Sequence, residues 1–558
     1  MKQIRLIILF FLFSSILIAQ QKPIIIDVDM SKTVGEMRPF WSYFGYDEPN
    51  YTYQKDGQKL LTELKQLSPT TVYVRAHNLL TSKGNSPAPD LKWGFTDAYK
   101  EDKNGNPIYN WTVVDSIIDE YVKRGMKPLM EIGFMPKDLS TKPEPYEHTW
   151  SKGGNIWTGW TYPPKDYNKW RELVHQWAKH SIDRYGKTEV TSWLWEVWNE
   201  PDIGYWSGTF EEYCKMYDYA ADGLKKACPE CTIGGPHTTS PRSDKAYSYL
   251  TRFIEHCLKG TNYATGKIGT PLQYIGFHAK GAPELVDGHI RMNMGVQLKD
   301  IQRAFEAVNS FPELKNIPII IGECDPEGCA ACSEKREPKY GYRNGTMYSS
   351  YTAASFSRIY ELMDTYKVNL KGAVSWSFEF ENQEWFAGFR DLATHGVDKP
   401  VLNIFRMFGM MSGQRVSVNT EKGFNAKDII ANGVRGEQND INALASKNGN
   451  SAWVMVWNYN DHNLEGTPSV VELNIKDLDK NKVLIHHYRV DNQFSNAFEK
   501  WKDMGKPQQV SEADYKKLEQ AGQLQLYTSP EWKESDKGIL RLKFELPRQG
   551  VSLIQLTW

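Results

Sequence analysis

Two segments of the chain place a glutamate directly after a run rich in apolar residues. The first reads Trp-Glu-Val-Trp-Asn-Glu-Pro over residues 195–201 and carries Glu200, and the second reads Ile-Ile-Ile-Gly-Glu over residues 319–323 and ends in Glu323. Two facing carboxyl groups can cleave a glycosidic bond when one is protonated and donates to the leaving oxygen while the other is ionised and attacks. The pair therefore predicts glycoside chemistry if the fold brings the two side chains together.

The neighbours of Glu200 favour the acid role for this residue. The apolar rings of Trp195 and Trp198 disfavour its charged form, so we expect its pKa to be raised. Asn199 can hydrogen-bond a sugar hydroxyl, a contact that strengthens in the transition state of glycoside cleavage. Glu196 is a rival carboxylate, but it lies deeper in the predicted strand, and we expect it to pair with a cation or a hydroxyl inside the protein.

The elements that must position these side chains alternate between strands and helices. Eight β-rich runs, most of them followed by an amphipathic stretch, lie at residues 41–44, 71–75, 128–132, 192–198, 232–234, 274–277, 318–321 and 373–378. Eight such units predict an α/β fold, a closed (β/α)₈ TIM barrel rather than an open doubly wound sheet. Catalytic side chains of such barrels stand at the carboxyl ends of the strands. The fourth and seventh runs bring Glu200 and Glu323 to that end.

The C-terminal part of the chain, residues 409–558, follows another pattern. Short strands separated by turn residues are predicted at 429–431, 441–446, 452–459, 469–475, 482–488, 539–544 and 550–557. This pattern predicts a C-terminal β-sandwich after a catalytic barrel of residues 21–408, with a charged, partly helical insertion near residues 489–523. The strand at residues 24–28 precedes the barrel and is a candidate to join the sandwich.

The N-terminal segment predicts export. Lys2 and Arg5 precede a stretch over residues 6–19 that is apolar apart from Ser14 and Ser15. Its length suits the core of a signal peptide and is too short to span a bilayer. We therefore expect residues 1–20 to be a signal peptide and the remaining chain to be secreted or periplasmic, with no membrane span.

Composition narrows the class of partner. The 558 residues carry 67 Lys and Arg against 68 Asp and Glu, a net charge of −1, which argues against a nucleic-acid binder. Phe, Trp and Tyr make up 13% of the chain, and such an aromatic content suits a protein that stacks on sugars. We expect the partner to be an oligosaccharide or polysaccharide substrate and no nucleic acid.

Seven cysteines fall mainly in two close groups. Cys228 and Cys231 form one C-x-x-C, while Cys324, Cys329 and Cys332 form a cluster. An exported protein favours disulfides over buried free thiols, and zinc is disfavoured because the cluster offers three ligands with no adjacent fourth. We expect no metal and no other cofactor.

With these motifs on view, the chain resembles glycoside hydrolase family 39, the α-L-iduronidases and β-xylosidases, within the clan of retaining (β/α)₈ glycosidases. The resemblance rests on Trp-Asn-Glu-Pro at residues 198–201 and on the glutamate that ends the seventh run. It extends to segments that favour the iduronidase branch, at residues 192–201, 234–236, 274–281, 319–326 and 488–505. It implies a retaining double displacement, with Glu200 as acid/base and Glu323 as nucleophile.

The resemblance also implies residues that contact the sugar: His77, Asn199, His278 and Lys280. From the residues alone, His77 is better interpreted as a buried structural histidine, and Lys280 as either a loop cation or a group that fixes a hydroxyl or carboxylate. Trp376, in the eighth run, is either core or the platform beneath the sugar ring. Arg75 could hold Glu200 or Glu323 by a charge-assisted hydrogen bond.

One loop departs from the iduronidase pattern. Residues 325–332, directly after Glu323, contain the acid Glu327 and two cysteines. Glu327 would repel a carboxylate-bearing sugar unless its side chain points away. The sugar therefore stays open between xylose, a uronate and another sugar.

Two functional hypotheses follow. The first is an exported retaining exo-glycosidase that acts on the ends of oligosaccharides or polysaccharides, with β-xylosidase-type or α-L-iduronidase-type specificity. The second is a non-catalytic glycan-binding protein on the same scaffold, because a fold does not fix a function. For the first hypothesis the carboxyl groups should lie about 5–5.5 Å apart, since about 6.5–9.5 Å is the separation of an inverting enzyme.

Overall fold

The structure, a computed structural model, describes residues 22–83, 94–148, 156–330, 332–377 and 383–558. The predicted signal peptide at residues 1–20 lies outside this part of the chain, as does the last residue of the run at 373–378. Within the described residues, none of the helices has the length and apolar character needed to cross a membrane.

Eight parallel strands close a barrel, which confirms the predicted fold class. The chain begins with β1 (Ile24–Glu36), which belongs to a different sheet. The barrel strands are β2 (Tyr43–Tyr46), β3 (Tyr73–Ala76), β4 (Lys127–Ile132), β5 (Leu194–Val197), β6 (Thr232–Thr238), β7 (Tyr274–His278), β8 (Pro318–Glu323) and β9 (Asn369–Trp376). Each strand pairs in parallel with the next, and β9 pairs with β2 to complete the ring.

A helix follows every barrel strand. These helices are α1 (Lys55–Gln66), α2 (Thr112–Val122), α3 (Tyr167–Tyr185), α4 (Phe210–Ala227), α5 (Asp244–Lys259), α6 (Met294–Asn309), α7 (Thr346–Tyr366) and α8 (Pro400–Met410). Local sequence sets their ends: the Asp166 carboxylate accepts hydrogen bonds from two N–H groups at the start of α3. Thr209 and Glu212 form a capping box at the start of α4. Such caps satisfy the N–H groups that a helix leaves unpaired.

Shorter elements decorate the loops and are not numbered. Four two-stranded ribbons pair Tyr99–Glu101 with Pro107–Tyr109, Glu147–His148 with Ile156–Trp157, Glu284–Val286 with His289–Arg291, and Ala393–Thr394 with Val397–Asp398. One short α-helix spans Lys187–Val190, and 3₁₀ turns span Pro49–Tyr53, Lys137–Leu139, Pro312–Leu314 and Pro338–Asn344.

The C-terminal strands form a second sheet. They are β10 (Gln414–Thr420), β11 (Asp440–Asn448), β12 (Ser451–Tyr459), β13 (Ser469–Lys476), β14 (Lys482–Val490), β15 (Gln525–Glu534), β16 (Ile539–Leu546) and β17 (Val551–Thr557). The hydrogen-bonded order is β15-β14-β17-β12-β11-β10-β1-β13-β16, in which β1 is antiparallel to β10 and parallel to β13. Val454, Leu473 and Ile485, from widely spaced strands of this order, share one hydrophobic cluster. The sheet therefore folds over one apolar core, as in a sandwich.

One predicted strand is wrong and two strands were not predicted. Residues 429–431 lie in a helix, α9 (Ala426–Asn432), because the Asn425 side chain caps its N-terminus and Gly433, at φ +68°, ends it. The strands absent from the prediction are β10 and β15. Most side chains of β15 are exposed, so its sequence lacks the alternation that marks a half-buried strand.

Two helices lie in the insertion near residues 489–523: α10 (Ala497–Asp503) and α11 (Glu512–Gly522). Trp501 of α10 and Leu518 of α11 pack in one cluster with Trp385 and Phe386, which belong to the segment after β9. The insertion therefore covers a loop at the mouth of the barrel.

Candidate active site

Glu200 and Glu323 meet at the mouth of the barrel. Glu323 is the last residue of β8, and Glu200 lies three residues beyond the end of β5. The two side chains offer carboxylate oxygens within 4.8 Å of each other, and only 4% of Glu200 and 3% of Glu323 is exposed. The paired carboxylates expected from the sequence are thus together and shielded from water.

The backbone after β5 is held in an uncommon conformation to aim Glu200. Trp198 has φ +74° and Glu200 has φ +48°, both in the left-handed region that non-glycine residues seldom adopt. The Glu200 N–H donates to the carbonyl of His237 on β6, 3.0 Å away, and the Trp198 indole donates to the carbonyl of Tyr205. Strain of this kind costs about 1–3 kcal/mol per residue and is typical of functional sites.

Three cations surround the Glu323 carboxylate. Lys280 Nζ lies 2.7 Å and Arg390 Nη2 2.9 Å from Oε2, and Arg75 Nη1 lies 3.4 Å from Oε1. Burial acts to raise the pKa of Glu323, but Lys280, His278 and Arg390 together hold this pKa well below its usual range. Glu323 is therefore ionised at neutral pH, which is the state a nucleophile needs.

Glu200 shares two of these neighbours. Lys280 Nζ lies 3.1 Å and His278 Nδ1 2.8 Å from its Oε1. Burial acts to raise the pKa of Glu200, whereas the Lys280 ammonium and the hydrogen bond from His278 lower it to about 2. The expectation of a raised pKa is therefore wrong for the unoccupied site, because an ion pair outweighs the loss of hydration.

Arg75 supports the site from below. Its fully buried guanidinium lies 2.7 Å from Glu196 and 3.3 Å from Glu131, and it donates to the Asn199 side-chain oxygen at 3.0 Å. The expected pairing of Glu196 with a cation is confirmed. Of the two partners expected for Arg75 at the site, the contact is with Glu323.

His77 and Trp376 form the opposite wall. His77 Nδ1 lies 3.0 Å from Asp47 Oδ1, and the Trp376 indole N–H donates to Asp47 Oδ2 at 2.9 Å. His77 Nε2 accepts from Arg75 at 2.8 Å and lies 3.8 Å from Glu323. Both His77 and Trp376 are buried. The structure thus brings all seven predicted site residues into one connected group: His77, Asn199, Glu200, His278, Lys280, Glu323 and Trp376.

Several residues of this group were not assigned from the sequence. Asp47 follows β2 directly, so the rule that site residues stand at strand ends would have found it. Glu131 is a buried acid inside an apolar strand, and His237 follows Gly-Gly-Pro in β6; neither pattern identifies a site by itself. Arg390 lies in a loop after β9, far from any motif in the sequence.

The loop after Glu323 accommodates its acid without exposing it to the site. The Glu327 carboxylate pairs with Arg343 at 3.0 Å and accepts the Cys329 N–H at 2.8 Å. Disulfides join Cys329 to Cys332 and Cys228 to Cys231. Cys214, Cys257 and Cys324 are buried free thiols.

A metal ion would meet a competing cation here. Within the described residues, the group with ligand atoms close enough to hold an ion is Glu200, His278 and Glu323. The Lys280 ammonium already contacts both of these carboxylates. The chain itself thus supplies the positive charge that an ion would bring.

A closed α/β barrel with two buried, facing carboxylates at the carboxyl ends of its strands defines the class of the glycosidases. Comparison with known proteins gives the family. The family model described as Glycosyl hydrolases family 39 matches residues 24–536. The chain therefore belongs to glycosyl hydrolase family 39 and is a glycosidase.

Relatives within the family act on different sugars. A β-xylosidase from Geobacillus stearothermophilus is 27% identical over 504 residues, which cover 87% of this chain and 86% of that protein. An α-L-iduronidase from Mus musculus is 24% identical over 547 residues, which cover 89% of this chain and 75% of that protein. The crystal structure of the GH39 enzyme from Xanthomonas axonopodis pv. citri matches with a TM-score of 0.74 at 18% identity, covering 96% of this chain and 97% of that one. The structural match supports the fold.

Proposed function

We propose that this chain is a retaining exo-glycosidase that releases a sugar from the end of an oligosaccharide or polysaccharide by double displacement. The observation that carries the proposal is the pair of buried carboxylates, Glu200 and Glu323, with oxygens within 4.8 Å of each other. Such a separation suits a direct attack by one carboxylate, since an inverting enzyme needs about 6.5–9.5 Å to admit a water molecule.

In this mechanism Glu323 attacks the anomeric carbon and forms the covalent glycosyl-enzyme. The three surrounding cations keep its carboxylate ionised before the attack. Glu200 donates its proton to the leaving oxygen in the first step. In the second step Glu200 takes a proton from the water that hydrolyses the intermediate.

Lys280 links the two protonation states of Glu200. In the unoccupied site its ammonium bridges both carboxylates and favours an ionised Glu200. A sugar seated between the carboxylates draws Lys280 to one of its own hydroxyl or carboxylate groups. The charge of Glu323 then raises the pKa of Glu200, so that Glu200 can carry the proton. Once Glu323 is glycosylated this charge is gone, and Glu200 becomes a base.

The proposed sugars are a β-D-xyloside and an α-L-iduronide. Relatives of both activities match the chain over most of its length. Lys280 and Arg390 at the site favour a carboxylate-bearing sugar, and the charge of Glu327 is compensated by Arg343. Cation placement therefore ranks the uronide first.

The test is proton NMR of the purified protein with a panel of aryl glycosides that includes both sugars. The spectrum identifies which sugar is released and which anomer forms first. Release of the retained anomer is expected. Initial release of the inverted anomer would contradict the double displacement, and a preference for the xyloside would reverse the ranking of the sugars.

We further propose that the chain is exported to the periplasm or the medium. The charged and apolar pattern of residues 1–20 supports export. Two disulfides support it as well, because disulfides persist in oxidising compartments. Cell fractionation with N-terminal sequencing tests the proposal: a cytoplasmic protein that retains Met1 would contradict it.

A further inference from the structure

The loop that follows the proposed nucleophile touches both of the closest cations on that carboxylate. We define the nucleophile loop as residues 325–330 together with Cys332. It begins two residues after Glu323 and is closed by the disulfide between Cys329 and Cys332. Its contacts with Arg390 and Lys280 give this loop a connection to the reacting carboxylate.

Arg390 is held by main-chain atoms of the nucleophile loop. Its Nη1 donates to the carbonyl of Glu327 at 2.9 Å, and its backbone N–H donates to the carbonyl of Ala330 at 3.3 Å. The other end of the same guanidinium, Nη2, donates to Glu323 Oε2 at 2.9 Å. Any movement of the loop therefore changes where the guanidinium meets the carboxylate.

Lys280 packs on the same loop. A Cβ atom added to Gly328 would lie 3.2 Å from Cδ and 3.4 Å from Nζ of Lys280, so the lysine side chain runs along the glycine. The N–H of Gly281, next in the chain, donates to the carbonyl of Asp325 at 3.2 Å. The loop thus forms a wall behind the cation that bridges the two carboxylates.

Arg343 fixes the loop from the protein side. Its fully buried guanidinium donates to the Glu327 carboxylate at 3.0 Å and to the carbonyls of Cys329 and Cys332 at 2.9 and 3.1 Å. It also donates at 3.2 Å to the carbonyl of Gly388, two residues before Arg390. One rigid side chain therefore joins both ends of the disulfide to the segment that carries Arg390.

We propose that Arg343 and the Cys329–Cys332 disulfide are positioning elements that hold Arg390 and Lys280 on the Glu323 carboxylate. The proposal rests on the proposed function, because it takes Glu323 to be the nucleophile. None of these three residues reaches the carboxylate itself. They act by fixing the loop, so that the cations stand in place before the sugar arrives and need no rearrangement during the reaction.

The test compares two pairs of cysteines with the same spacing. Cys329→Ser/Cys332→Ser opens the nucleophile loop. Cys228→Ser/Cys231→Ser is the matched control, since Cys228 caps the C-terminus of α4 and Cys231 precedes β6, at the end of the barrel away from the site. We expect the first variant to lose about 10- to 100-fold in kcat with little change in KM, as misplaced groups do. The control should keep the wild-type kcat.

The pH profile separates positioning from a general loss of structure. Arg390 and Lys280 lower the pKa of Glu323, so a loop that releases them should move the acid limb of kcat/KM to higher pH. The other groups that face Glu323 are unchanged in the variant: Arg75, His77, Glu200 and His278. A wild-type kcat and acid limb in Cys329→Ser/Cys332→Ser, or equal losses in both cysteine variants, would overturn the proposal.

A crystal structure of the same variant gives a readout that does not depend on turnover. The Arg390–Glu323 contact should be longer or lost. A contact kept at its present length overturns the proposal, even if the wild type were to cleave no glycoside and the proposed function failed. If opening the disulfide prevents folding, Arg343→Lys replaces it: the lysine keeps the charge but cannot bridge four acceptors. The same losses are expected, and wild-type kcat with an unshifted acid limb would contradict the proposal.

Discussion

At the mouth of the barrel, Arg75, Glu196 and Glu323 are buried as charged groups, whereas the core of the C-terminal sheet is built from side chains such as Val454 and Leu473. Burying a charge is expensive unless every partner is in place, so the first region tolerates little change. Burying aliphatic groups is favourable in itself. The comparison indicates that the barrel mouth has been arranged for chemistry and the sheet for stability.

The largest expected effect breaks this comparison at the catalytic pair. Glu323→Gln removes the attacking group and should lower kcat by at least about 10⁴-fold for every substrate. Glu200→Gln removes the proton donor and should cost about 10²–10⁴-fold for a poor leaving group. The loss in Glu200→Gln should shrink as the aryl leaving group becomes more acidic, whereas the loss in Glu323→Gln should not.

Kinetics with a series of substituted aryl glycosides check this prediction. Circular dichroism of both variants provides the control for folding. Equal dependence on the leaving group in the two variants would contradict the assigned roles, and exchanged dependences would reverse them.

The second prediction concerns the sheet. Leu473→Ala leaves a cavity in a cluster where the leucine is fully buried, and it should lower the free energy of unfolding by about 2–5 kcal/mol. The kcat/KM of the folded enzyme should not change, because the leucine is remote from the charged group at the mouth. Leu526→Ala, at an exposed leucine of β15, is the control and should stay within about 0.5 kcal/mol. Denaturation and kinetics on the same samples decide: lost activity in folded Leu473→Ala would mean that the two regions are not independent.

The third and smallest prediction concerns pH. Burial raises the pKa of Glu131 to about 8, so the native state keeps a proton that the unfolded chain releases near its ordinary value of 4.5. Between these values the native state binds more protons, and the free energy of unfolding falls as the pH rises from 5 towards 8. Glu131→Gln cannot ionise, so this fall should be smaller by on the order of 1–3 kcal/mol.

Urea denaturation at several pH values across this window measures the difference. Asp300, whose pKa burial raises to about 6, contributes a fall of the same sign in both proteins and cancels in the comparison. Glu512→Gln, at an exposed residue of α11, is the control. Parallel curves for the wild type and Glu131→Gln would show that Glu131 is ionised in the native state at the start of the window.

Local sequence was sufficient to predict the barrel and the two carboxylates. Each strand is a short apolar run, and Glu200 and Glu323 directly follow such runs, so the strand-end rule applies without knowledge of the packing. The strand expected at residues 429–431 failed because a three-residue apolar run does not distinguish strand from helix, and the cap at Asn425 decided for the helix.

The charges around the carboxylates could not be predicted in the same way. The position of Lys280 between Glu200 and Glu323 depends on the register of β7 against β8 and on a loop conformation. For the same reason the pKa of Glu200 was expected to be raised by its tryptophan neighbours but is lowered by contacts that are distant in sequence. Arg390 reaches Glu323 from a segment whose place at the mouth depends on buried contacts with Arg343.

Strand β1 lies between β10 and β13 in the C-terminal sheet, although it precedes the whole barrel in the chain. During synthesis this strand leaves the ribosome first, while its hydrogen-bonding partners begin only at Gln414 and Ser469. Its N–H and C=O groups therefore wait unpaired while all eight strand–helix units are made. Barrel and sheet are in this way fastened at both ends of the barrel sequence, and a truncation after α8 would leave β1 with neither neighbour.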